Sequence, residues 1–452
     1  MIVMKFGGSS IANADRIRRM AEIVKKYVPR KPVLVLSAMG DITDRLLEAA
    51  DAAINTGSCS IDEIRELHLK TIAALGLDIR AENEITPLLE ELKNLLIGVS
   101  MIKELTKKTR DYLVSFGERL SVRIAAAYFR TTDVNAKAMD SWDAGFLSDD
   151  NYSSAWILKE SWDMIPRKLN PLVEAGVLPV VTGFIAKTTR NAITTLGRGG
   201  SDLTATVIAA ACGAEEAQVW KDVDGILTAD PKIVPEAKPL EAVTYEEAAE
   251  LAYYGAQVLH PRSMQPCVKT STPVLVKNSY NARSPGTRIV ASLEKPTPVR
   301  AITSRKNVTL VDIVSTRMVG QVGFLEQVFS TFAKHGVSID MVATSEVSIS
   351  VTVDAAYDLS ELREDMLKIA QVHIKTGKAI ITIIGDVERS SEILSRAFST
   401  CTVAGIQAQM LSQGASKVNI SFIVNDGQSA EAVRRVHKEF FGKPASGKRG
   451  IA

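Results

Sequence analysis

The sequence has few cysteines, little net charge and no long hydrophobic run. Its four cysteines, Cys59, Cys212, Cys267 and Cys401, lie far apart without a CxxC spacing, so they predict neither a metal site nor a disulfide framework. A net charge of +2 gives no reason to expect a nucleic-acid partner. No apolar run approaches the roughly 20 residues of a membrane span, and the N-terminus lacks the apolar core of a signal peptide. We therefore expect a cytoplasmic protein, not bound to a membrane, whose partners are small molecules or itself.

What the sequence does contain is the pattern of a globular α/β protein. Its 452 residues, 46% hydrophobic and 23% charged, suffice for two or three domains. Short apolar runs alternate with helical patterns, which predicts a mostly parallel sheet covered on both faces. Ligands of such sheets bind at the carboxyl ends of the strands. The residues at these predicted ends are Lys5, Ser37, Gly183, Asp222 and Asn278.

A glycine-rich loop at residues 196–202, LGRGGSD, precedes a helix of small residues. Glycines permit the close approach of a ligand, and Ser201 or Asp202 can cap the helix that follows. The N–H groups at the start of a helix favour an anion, and Arg198 adds a planar fork that suits a carboxylate or a phosphate. The loop predicts an anion-binding site, with an ordinary glycine turn before a capped helix as the alternative.

The first predicted strand, residues 1–6, ends near a lysine and two glycines. The Walker A pattern GxxxxGK[ST] is absent. Lys5 can still reach the terminal phosphates of a nucleotide while the amides of Gly7 and Gly8 hold them. The alternative is an edge lysine beside a turn.

Residues 44–130 are mostly helical in pattern, and FGE at residues 116–118 predicts a break before another helix. This break places Glu118 near a helix start. There the carboxylate can complement the helix dipole or bind a ligand.

The C-terminal third contains a repeat. After an aperiodic stretch at residues 282–306, which predicts a domain boundary, FST and GV at residues 329–337 return as FST and GI at residues 398–406. Two β-α-β-β units of about 70 residues each are therefore expected. Their predicted strands and helices are residues 309–314, 325–334, 347–353, 379–384, 393–403 and 418–424.

Six ordered motifs resemble the signature stretches of aspartate kinases, and the two C-terminal units resemble ACT domains. The motifs are KFGGSS at residues 5–10, FGE at 116–118, TLGRGGSD at 195–202, WKDVDGILTADP at 220–231, GAQVLHP at 255–261 and VKNSYN at 276–281. The resemblance implies an amino-acid-kinase fold with a mostly parallel sheet, followed by two ferredoxin-like ACT domains, in a monofunctional enzyme. The implied limits are 1–295 for the kinase domain, 304–376 and 377–442 for the ACT domains, and 443–452 for a flexible tail.

The resemblance also implies a reaction, in which ATP phosphorylates the side-chain carboxylate of L-aspartate in the biosynthesis of lysine, threonine and methionine. That carboxylate is itself a nucleophile at neutral pH, so no strong general base is needed. Arg198 would clamp the aspartate α-carboxylate, and Glu118 and Asp202 would lie around its ammonium group. The implied catalytic residues are Lys5 and Asp202, and the implied substrate-binding residues are Thr43, Glu118, Arg198, Gly199, Gly200 and Ser201.

For the nucleotide, the resemblance implies ten residues and a Mg²⁺ ion that arrives on ATP. Some relatives carry tyrosine, arginine and lysine at the positions of Leu227, Lys232 and Gln257. Gln257 is neutral where a lysine could touch phosphate, and Leu227 offers no hydroxyl group. The implied nucleotide-binding residues are Lys5, Phe6, Gly7, Gly8, Lys221, Asp222, Leu227, Lys232, Gln257 and Val258.

The C-terminal part is similar to lysine-inhibited members and to plant-type enzymes, some of which sense S-adenosylmethionine together with lysine. Asp340 fits the ε-ammonium group of a bound lysine, and Ser345 with backbone amides fits its carboxylate. The alternative is that these are turn and strand-end residues. Since ACT pairs associate across subunits, a homodimer or larger assembly is implied. The implied regulatory residues are Met318, Gln321, Phe324, Leu325, Ser338, Ile339, Asp340, Ser345 and Glu346.

Two other functions remain open at this point. Acetylglutamate kinase and glutamate 5-kinase use a similar core and a carboxylate acceptor, but the ACT-like pair and the GRGGSD loop argue against them. A catalytically silent amino-acid sensor would use the ACT units alone, and the presence of Lys5, Arg198 and Asp202 argues against that.

Overall fold

The computed structural model describes residues 1–254, 259–293, 297–315, 322–413 and 417–442. The chain forms two compact units. The first comprises Met1–Ile226, Glu241–Tyr245 and Val258–Leu293, and the second comprises Leu227–Leu240, Glu246–Gln257 and Glu294–Ala452. Two stretches before residue 295 therefore belong to the second unit, and the domain limits implied by the resemblance stay a prediction.

The elements up to residue 290 alternate between strands and helices. In chain order they are β1 (Ile2–Phe6), α1 (Ala14–Lys25), β2 (Pro32–Leu36), α2 (Ile42–Thr56), α3 (Asp62–Leu75), α4 (Ile79–Ile102), α5 (Lys107–Arg130), β3 (Ala136–Met139), β4 (Leu147–Ser148), α6 (Ser161–Glu174), β5 (Leu178–Thr182), β6 (Ile185–Thr188), β7 (Ile193–Thr195), α7 (Gly200–Ala211), β8 (Ala217–Lys221), β9 (Ala242–Thr244), α8 (Tyr245–Tyr253), α9 (Pro261–Thr270), β10 (Val274–Asn278) and β11 (Thr287–Val290).

The first unit is built on an eight-stranded sheet in the order β3-β5-β2-β1-β8-β10-β11-β9. All neighbours pair in parallel except β10 and β11. Strands β1, β2 and β5 are buried at every position, as expected for strands covered on both faces. The predicted mostly parallel sheet is confirmed. A small sheet, β4-β6-β7, lies beside it in the same unit.

Two local predictions in this unit are wrong. Helix α5 runs unbroken through FGE, so Glu118 lies in mid-helix. A Cβ atom on Gly117 would lie 2.6 Å from the Ala38 Cβ, so this glycine serves close packing and does not end the helix. Neither Ser201 nor Asp202 caps α7, because the cap residue is Gly199 in the left-handed conformation with φ 73°. Both side chains lie in the first turn of the helix instead.

The elements after residue 290 repeat one pattern twice. They are β12 (Val299–Val314), α10 (Phe324–Lys334), β13 (Ile339–Thr344), β14 (Ser348–Asp354), α11 (Ser360–Leu367), β15 (Gln371–Gly385), α12 (Ser390–Val403), β16 (Leu411–Ser412), β17 (Asn419–Asn425) and α13 (Asp426–Phe441).

These strands of the second unit form one antiparallel sheet in the order β13-β14-β12-β15-β17-β16. The long strands β12 and β15 pair along most of their length and join the two halves of the repeat. The predicted first strands, residues 309–314 and 379–384, are therefore parts of longer strands, and they pair with residues 371–375 and 301–305, which the prediction left out. Helices α10 and α11 cover a core on one half, and α12 and α13 cover a core on the other. Within the described ranges, no helix has the length and apolar character that a membrane crossing needs.

Candidate active site

A cavity of about 500 Å³ opens in the first unit beside the carboxyl ends of β1, β2 and β5. It brings together all the residues that the sequence predicts for catalysis and substrate binding, together with Gly8, although they come from four separate stretches of chain. Those that line it are Lys5, Gly8, Thr43, Glu118, Arg198, Gly199, Gly200, Ser201 and Asp202.

A buried carboxylate between two lysines forms the floor of the cavity. The Lys5 Nζ lies 2.6 Å from the Asp202 Oδ1, and the Lys221 Nζ lies 3.4 Å from the Asp202 Oδ2. Burial raises the pKa of Asp202, but the two ammonium groups more than offset this, so its pKa lies below the usual range. Two cations against one carboxylate leave an excess of one positive charge where strands β1 and β8 end.

Glu118 has a different environment in the same cavity. Burial raises its pKa to about 8, although backbone hydrogen bonds at Ala38 and the charge of Lys5 oppose the shift. Its Oε2 atom is buried and has no hydrogen-bond partner among the described residues. Because α5 packs closely on the loop after β2 through Gly117, the carboxyl group is held at the cavity wall. The arrangement leaves a buried acid that lacks a cation of its own.

The loop before α7 is shaped by close contacts as well as by positive φ angles. Gly197 and Gly199 have φ 75° and 73°, a conformation that favours glycine. A Cβ atom on Gly183 would lie 2.6 Å from the Ser201 Cβ, and the Ser37 hydroxyl donates to the Ser201 Oγ at 3.0 Å. The Arg198 side chain is exposed and has no ion-pair partner in the described part of the chain, so its guanidinium group can receive a carboxylate.

Only some of the residues predicted to bind the nucleotide lie in this unit. The Gly7 N–H donates to the Trp220 carbonyl at 3.4 Å, so a phosphate must compete for it. Phe6 is fully buried and stacks on Trp220, which restricts any contact with a nucleotide to its backbone. Asp222 is exposed just after β8. Leu227 and Lys232 belong to the second unit, and Gln257 and Val258 lie outside the described residues.

Residues that sequence reasoning missed also line the cavity, including Arg110, Asp111 and Phe184. Asp111 accepts hydrogen bonds from the N–H groups of Ser153 and Thr195, both at 2.8 Å. A signal for it was present, because Asp111 precedes Glu118 by seven residues, or two helical turns, and therefore shares its face of α5. Phe184 has φ 66°, which no sequence pattern indicates.

A second cavity, of about 450 Å³, lies within the second unit and contains Asp340. The Asp340 Oδ1 accepts hydrogen bonds from the Tyr253 hydroxyl at 2.6 Å and from the Arg305 Nη1 at 2.9 Å. Arg305 also donates to Asp354 at 3.0 Å. Burial and the neighbouring Asp340 raise the pKa of Tyr253 to about 12, so its hydroxyl group stays a donor. Ser338 lines the same cavity.

The other predicted regulatory residues are more scattered. Phe324 is buried in the core of its half of the repeat, so only its backbone can reach a ligand. The Ser345 hydroxyl is engaged in its own turn with Ser348 at 2.7 Å. Ile339 is half-buried, while Leu325 and Glu346 are exposed. Met318 and Gln321 lie outside the described residues.

Known proteins resemble the chain along nearly its whole length. Residues 1–278 match the amino acid kinase family, and residues 311–358 and 381–440 match the ACT domain. "Aspartokinase 1, chloroplastic" of Arabidopsis thaliana is 48% identical over 97% of this chain and 80% of its own length.

Two crystal structures of aspartokinase III of Escherichia coli are also similar, at 30% identity. The complex with aspartate and ADP, called the R-state, has a TM-score of 0.80 and covers 98% of this chain and 100% of the other. The complex with lysine and aspartate, called the T-state, has a TM-score of 0.81 and covers 98% and 99%. With its parallel kinase sheet, its paired ACT units and these relatives, the chain belongs to the aspartokinase family.

Proposed function

We propose that the chain transfers the terminal phosphoryl group of ATP to the side-chain carboxylate of L-aspartate, forming 4-phospho-L-aspartate. An enzyme of the aspartokinase family phosphorylates aspartate, and a related crystal structure holds aspartate with ADP. The observation that carries the proposal is the single cavity in which Lys5, Asp202, Arg198 and Glu118 meet. It offers a cation excess for phosphate, a guanidinium for a carboxylate and a buried acid for an ammonium group.

Phosphoryl transfer between carboxylate and ATP requires mainly positioning and charge stabilisation. Lys5, near the end of β1, neutralises charge on the transferring group. Asp202 fixes the position of the Lys5 ammonium group. Lys221 lies on the other Asp202 oxygen, so Lys5 can turn towards a phosphate without leaving Asp202 unpaired. With two lysines present, one ammonium group can stay on Asp202 while the other pairs with the phosphate.

Magnesium fits this chain as an ion carried by the nucleotide. Both Asp202 oxygens face lysines, and no group of three or more His, Cys, Asp or Glu side chains among the described residues could hold a metal. Carried by the nucleotide, the ion would neutralise charge on the phosphates. Asp222, exposed after β8, offers a carboxylate at the same edge of the sheet.

Aspartate is held by its two non-reacting groups. Arg198 binds the α-carboxylate as a bidentate fork. The ammonium group binds beside Glu118, where an opposite charge favours the ionised carboxylate and reverses the effect of burial. Thr43 and Ser201, which line the same cavity, add hydroxyl groups for the reacting carboxylate.

ADP release, coupled to trapping of the acyl phosphate with hydroxylamine, tests this function. Aspartate, glutamate and N-acetylglutamate are compared under the same conditions. We expect aspartate to have a kcat/KM about 10- to 200-fold above that of glutamate, because one additional methylene group misplaces the reacting carboxylate. Faster reaction with glutamate or N-acetylglutamate would assign the chain to a related kinase, and the absence of ADP release with all three would assign it to a catalytically silent sensor.

We also propose L-lysine as an allosteric inhibitor, supported by the related crystal structure that holds lysine and aspartate. The Asp340 pocket supplies an anion for the ε-ammonium group. A coupling free energy of about 1–3 kcal/mol, which changes affinity 5- to 150-fold, is typical of such regulation. Initial rates with lysine, with S-adenosylmethionine and with both test the effect and its additivity. Unchanged rates at saturating lysine would refute it.

The assembly and the compartment complete the proposal. A homodimer formed through the ACT units is expected, and sedimentation velocity with and without lysine measures it. A cytoplasmic location stays a prediction, since the name of the Arabidopsis relative places that protein in the chloroplast.

A further inference from the structure

Ser153 and Thr195 line the cavity, and they belong to two adjacent segments of the first unit, residues 153–155 and 195–196. The Ala155 N–H donates to the Thr195 carbonyl at 2.9 Å. A Cβ atom on Gly197 would lie 3.1 Å from the Ser153 carbonyl oxygen, so the segments touch where the 197–202 loop begins. The position of Arg198 therefore depends on how firmly these two segments are held.

A buried carboxylate holds both segments from the α5 side. Asp111 is 1% exposed, and its Oδ2 accepts the N–H groups of Ser153 and Thr195 at 2.8 Å each. Its Oδ1 accepts the hydroxyl groups of the same two residues, at 3.3 Å and 2.9 Å. One side chain thus pairs four donors and fixes the end of β7 against residue 153.

A guanidinium group holds the same two segments through their carbonyl groups. The Arg262 Nη1 donates to the Leu196 carbonyl at 3.0 Å and to the Ser154 hydroxyl at 3.2 Å. The Nη2 donates to the Ala155 carbonyl at 2.5 Å. The guanidinium also lies 4.2 Å from the centre of the Trp156 ring. Arg262 is the second residue of α9, so this contact ties that helix to the loop.

We propose that Asp111 and Arg262 are positioning residues for the aspartate-binding loop. Asp111 takes the N–H of Thr195 while Arg262 takes the carbonyl of the next residue, Leu196, so groups of opposite charge hold adjacent peptides. These hydrogen bonds form within the protein itself and do not need a substrate. Arg198 and the start of α7 therefore need not become ordered when aspartate binds. We call the two side chains and their contacts the clasp. The inference rests on the proposed function, since it names aspartate as the ligand of the loop.

The clasp predicts a selective effect on aspartate. In Asp111→Leu the side chain keeps about its size but the N–H groups lose their acceptor, and in Arg262→Met the carbonyl groups lose their donors. We expect either variant to raise the KM for aspartate about tenfold, with kcat and the KM for ATP within twofold of the unmodified enzyme. Arg262→Lys, which can reach one carbonyl, should restore part of the loss.

A matched control comes from the turn between β6 and β7. Arg190 pairs with Asp150 at 3.3 Å, and both side chains are largely exposed. Arg190→Met removes a similar charge without touching the clasp, so the KM for aspartate should stay unchanged. Equal changes in both KM values and kcat in the Asp111 and Arg262 variants would indicate a purely structural role and overturn the proposal.

Amide hydrogen exchange tests the clasp without relying on turnover. The amides of Ser153 and Thr195 should exchange at least tenfold faster in Asp111→Leu, while those of β1 exchange as before. Unchanged exchange at both amides, or an unchanged KM for aspartate in correctly folded Arg262→Lys and Arg262→Met, would overturn the clasp. Failure of the unmodified chain to phosphorylate aspartate would instead overturn the proposed function.

Discussion

Asp202 and Asp340 are both buried carboxylates that face cations, but their surroundings have opposite net charge. Asp202 lies between Lys5 and Lys221, two cations against one anion. Around Asp340, one guanidinium, that of Arg305, is shared by two carboxylates, those of Asp340 and Asp354. The first cluster has an excess of one positive charge and suits an anionic phosphate. The second has an excess of one negative charge and suits a cationic effector.

The two carboxylates also differ in which oxygen atoms are free. Each Asp202 oxygen faces its own lysine. Asp340 uses its Oδ1 for both Tyr253 and Arg305, while its buried Oδ2 has no partner among the described residues. Asp202 is thus a fixed support for Lys5, whereas Asp340 keeps an acceptor oxygen that a ligand can use. The comparison predicts that substitutions in the first cluster act on catalysis and those in the second act on inhibition.

The largest effect is expected from Lys5→Met, which removes half of the cation pair in the first cluster. Asp202 stays paired with Lys221, so the fold is retained. Because charge on the transferring phosphoryl group loses its neutralising partner, kcat should fall about 1,000-fold. Steady-state ADP release measures the fall, and circular dichroism checks the fold.

Lys221→Met is the matched control for Lys5→Met. It removes the more distant lysine of the pair, at 3.4 Å compared with 2.6 Å from Asp202, and should lower kcat about tenfold. Equal losses in the two variants would show that only the total charge of the cluster matters, and the assignment of Lys5 to the phosphate would fail.

The first cluster was largely predictable from sequence because its residues lie in short motifs, with Lys5 and Lys221 at the ends of parallel strands and Asp202 in the first turn of α7. Lys5 needed only the rule that ligands gather at such strand ends. The second cluster was only partly predictable. Asp340 was named from the resemblance, but its partners Tyr253 and Arg305 lie 87 and 35 residues away. No local pattern indicates such pairs.

The two wrong local predictions, at Gly117 and at the start of α7, also result from contacts that no local pattern indicates. A glycine inside a helical pattern indicates a break when only local propensity is considered, but α5 continues through Gly117 because Ala38 packs against it. A serine after glycines indicates a cap, but the left-handed Gly199 takes that position. Tertiary contacts decided both cases. The burial that raises the pKa of Glu118 likewise depends on distant residues.

Glu118 adds a third case, since it is a buried carboxylate of the first unit that forms no ion pair with any described residue. In the free enzyme its pKa of about 8 keeps it protonated below that pH. Aspartate needs the ionised form beside its ammonium group, so its KM should fall as the pH rises from 6 to 8. The expected decrease is up to about tenfold for each pH unit. Steady-state kinetics at saturating ATP measures it.

Glu118→Gln supplies the control for this pH dependence. The amide cannot ionise, so the KM for aspartate should be nearly constant from pH 6 to 8 and close to the unmodified value at pH 6. A KM that still falls with pH in Glu118→Gln would assign the titration to another group.

In the second cluster, Asp340→Asn removes the charge that faces the effector while keeping the size of the side chain. The lysine concentration for half-maximal inhibition should rise at least tenfold, because the ε-ammonium group loses its ionic partner. Turnover without lysine should stay within twofold of the unmodified enzyme. Inhibition curves at fixed aspartate measure the first quantity, and loss of basal turnover would show that Asp340 belongs to the catalytic machinery.

A smaller effect, and one that separates net charge from pairing, is expected from Arg305→Met. The change leaves Asp340 and Asp354 without their shared cation and so increases the negative excess of the cluster. If Arg305 competes with the effector for Asp340, lysine should inhibit at about fivefold lower concentration, opposite in direction to Asp340→Asn.

The direction of this last change decides between two roles of Arg305. Arg305 donates one N–H to Asp340 and another to Asp354, at 2.9 Å and 3.0 Å, and its guanidinium lies 5.5 Å from the centre of the Tyr253 ring. As a competitor, it would be displaced by the ε-ammonium group, and its removal strengthens inhibition. As a brace that holds Asp340 towards the pocket, it would be needed for binding, and its removal weakens inhibition. Asp354→Asn separates these roles further, because it releases one Arg305 N–H while keeping Asp340 paired. As a competitor, the released Arg305 should weaken lysine binding about twofold.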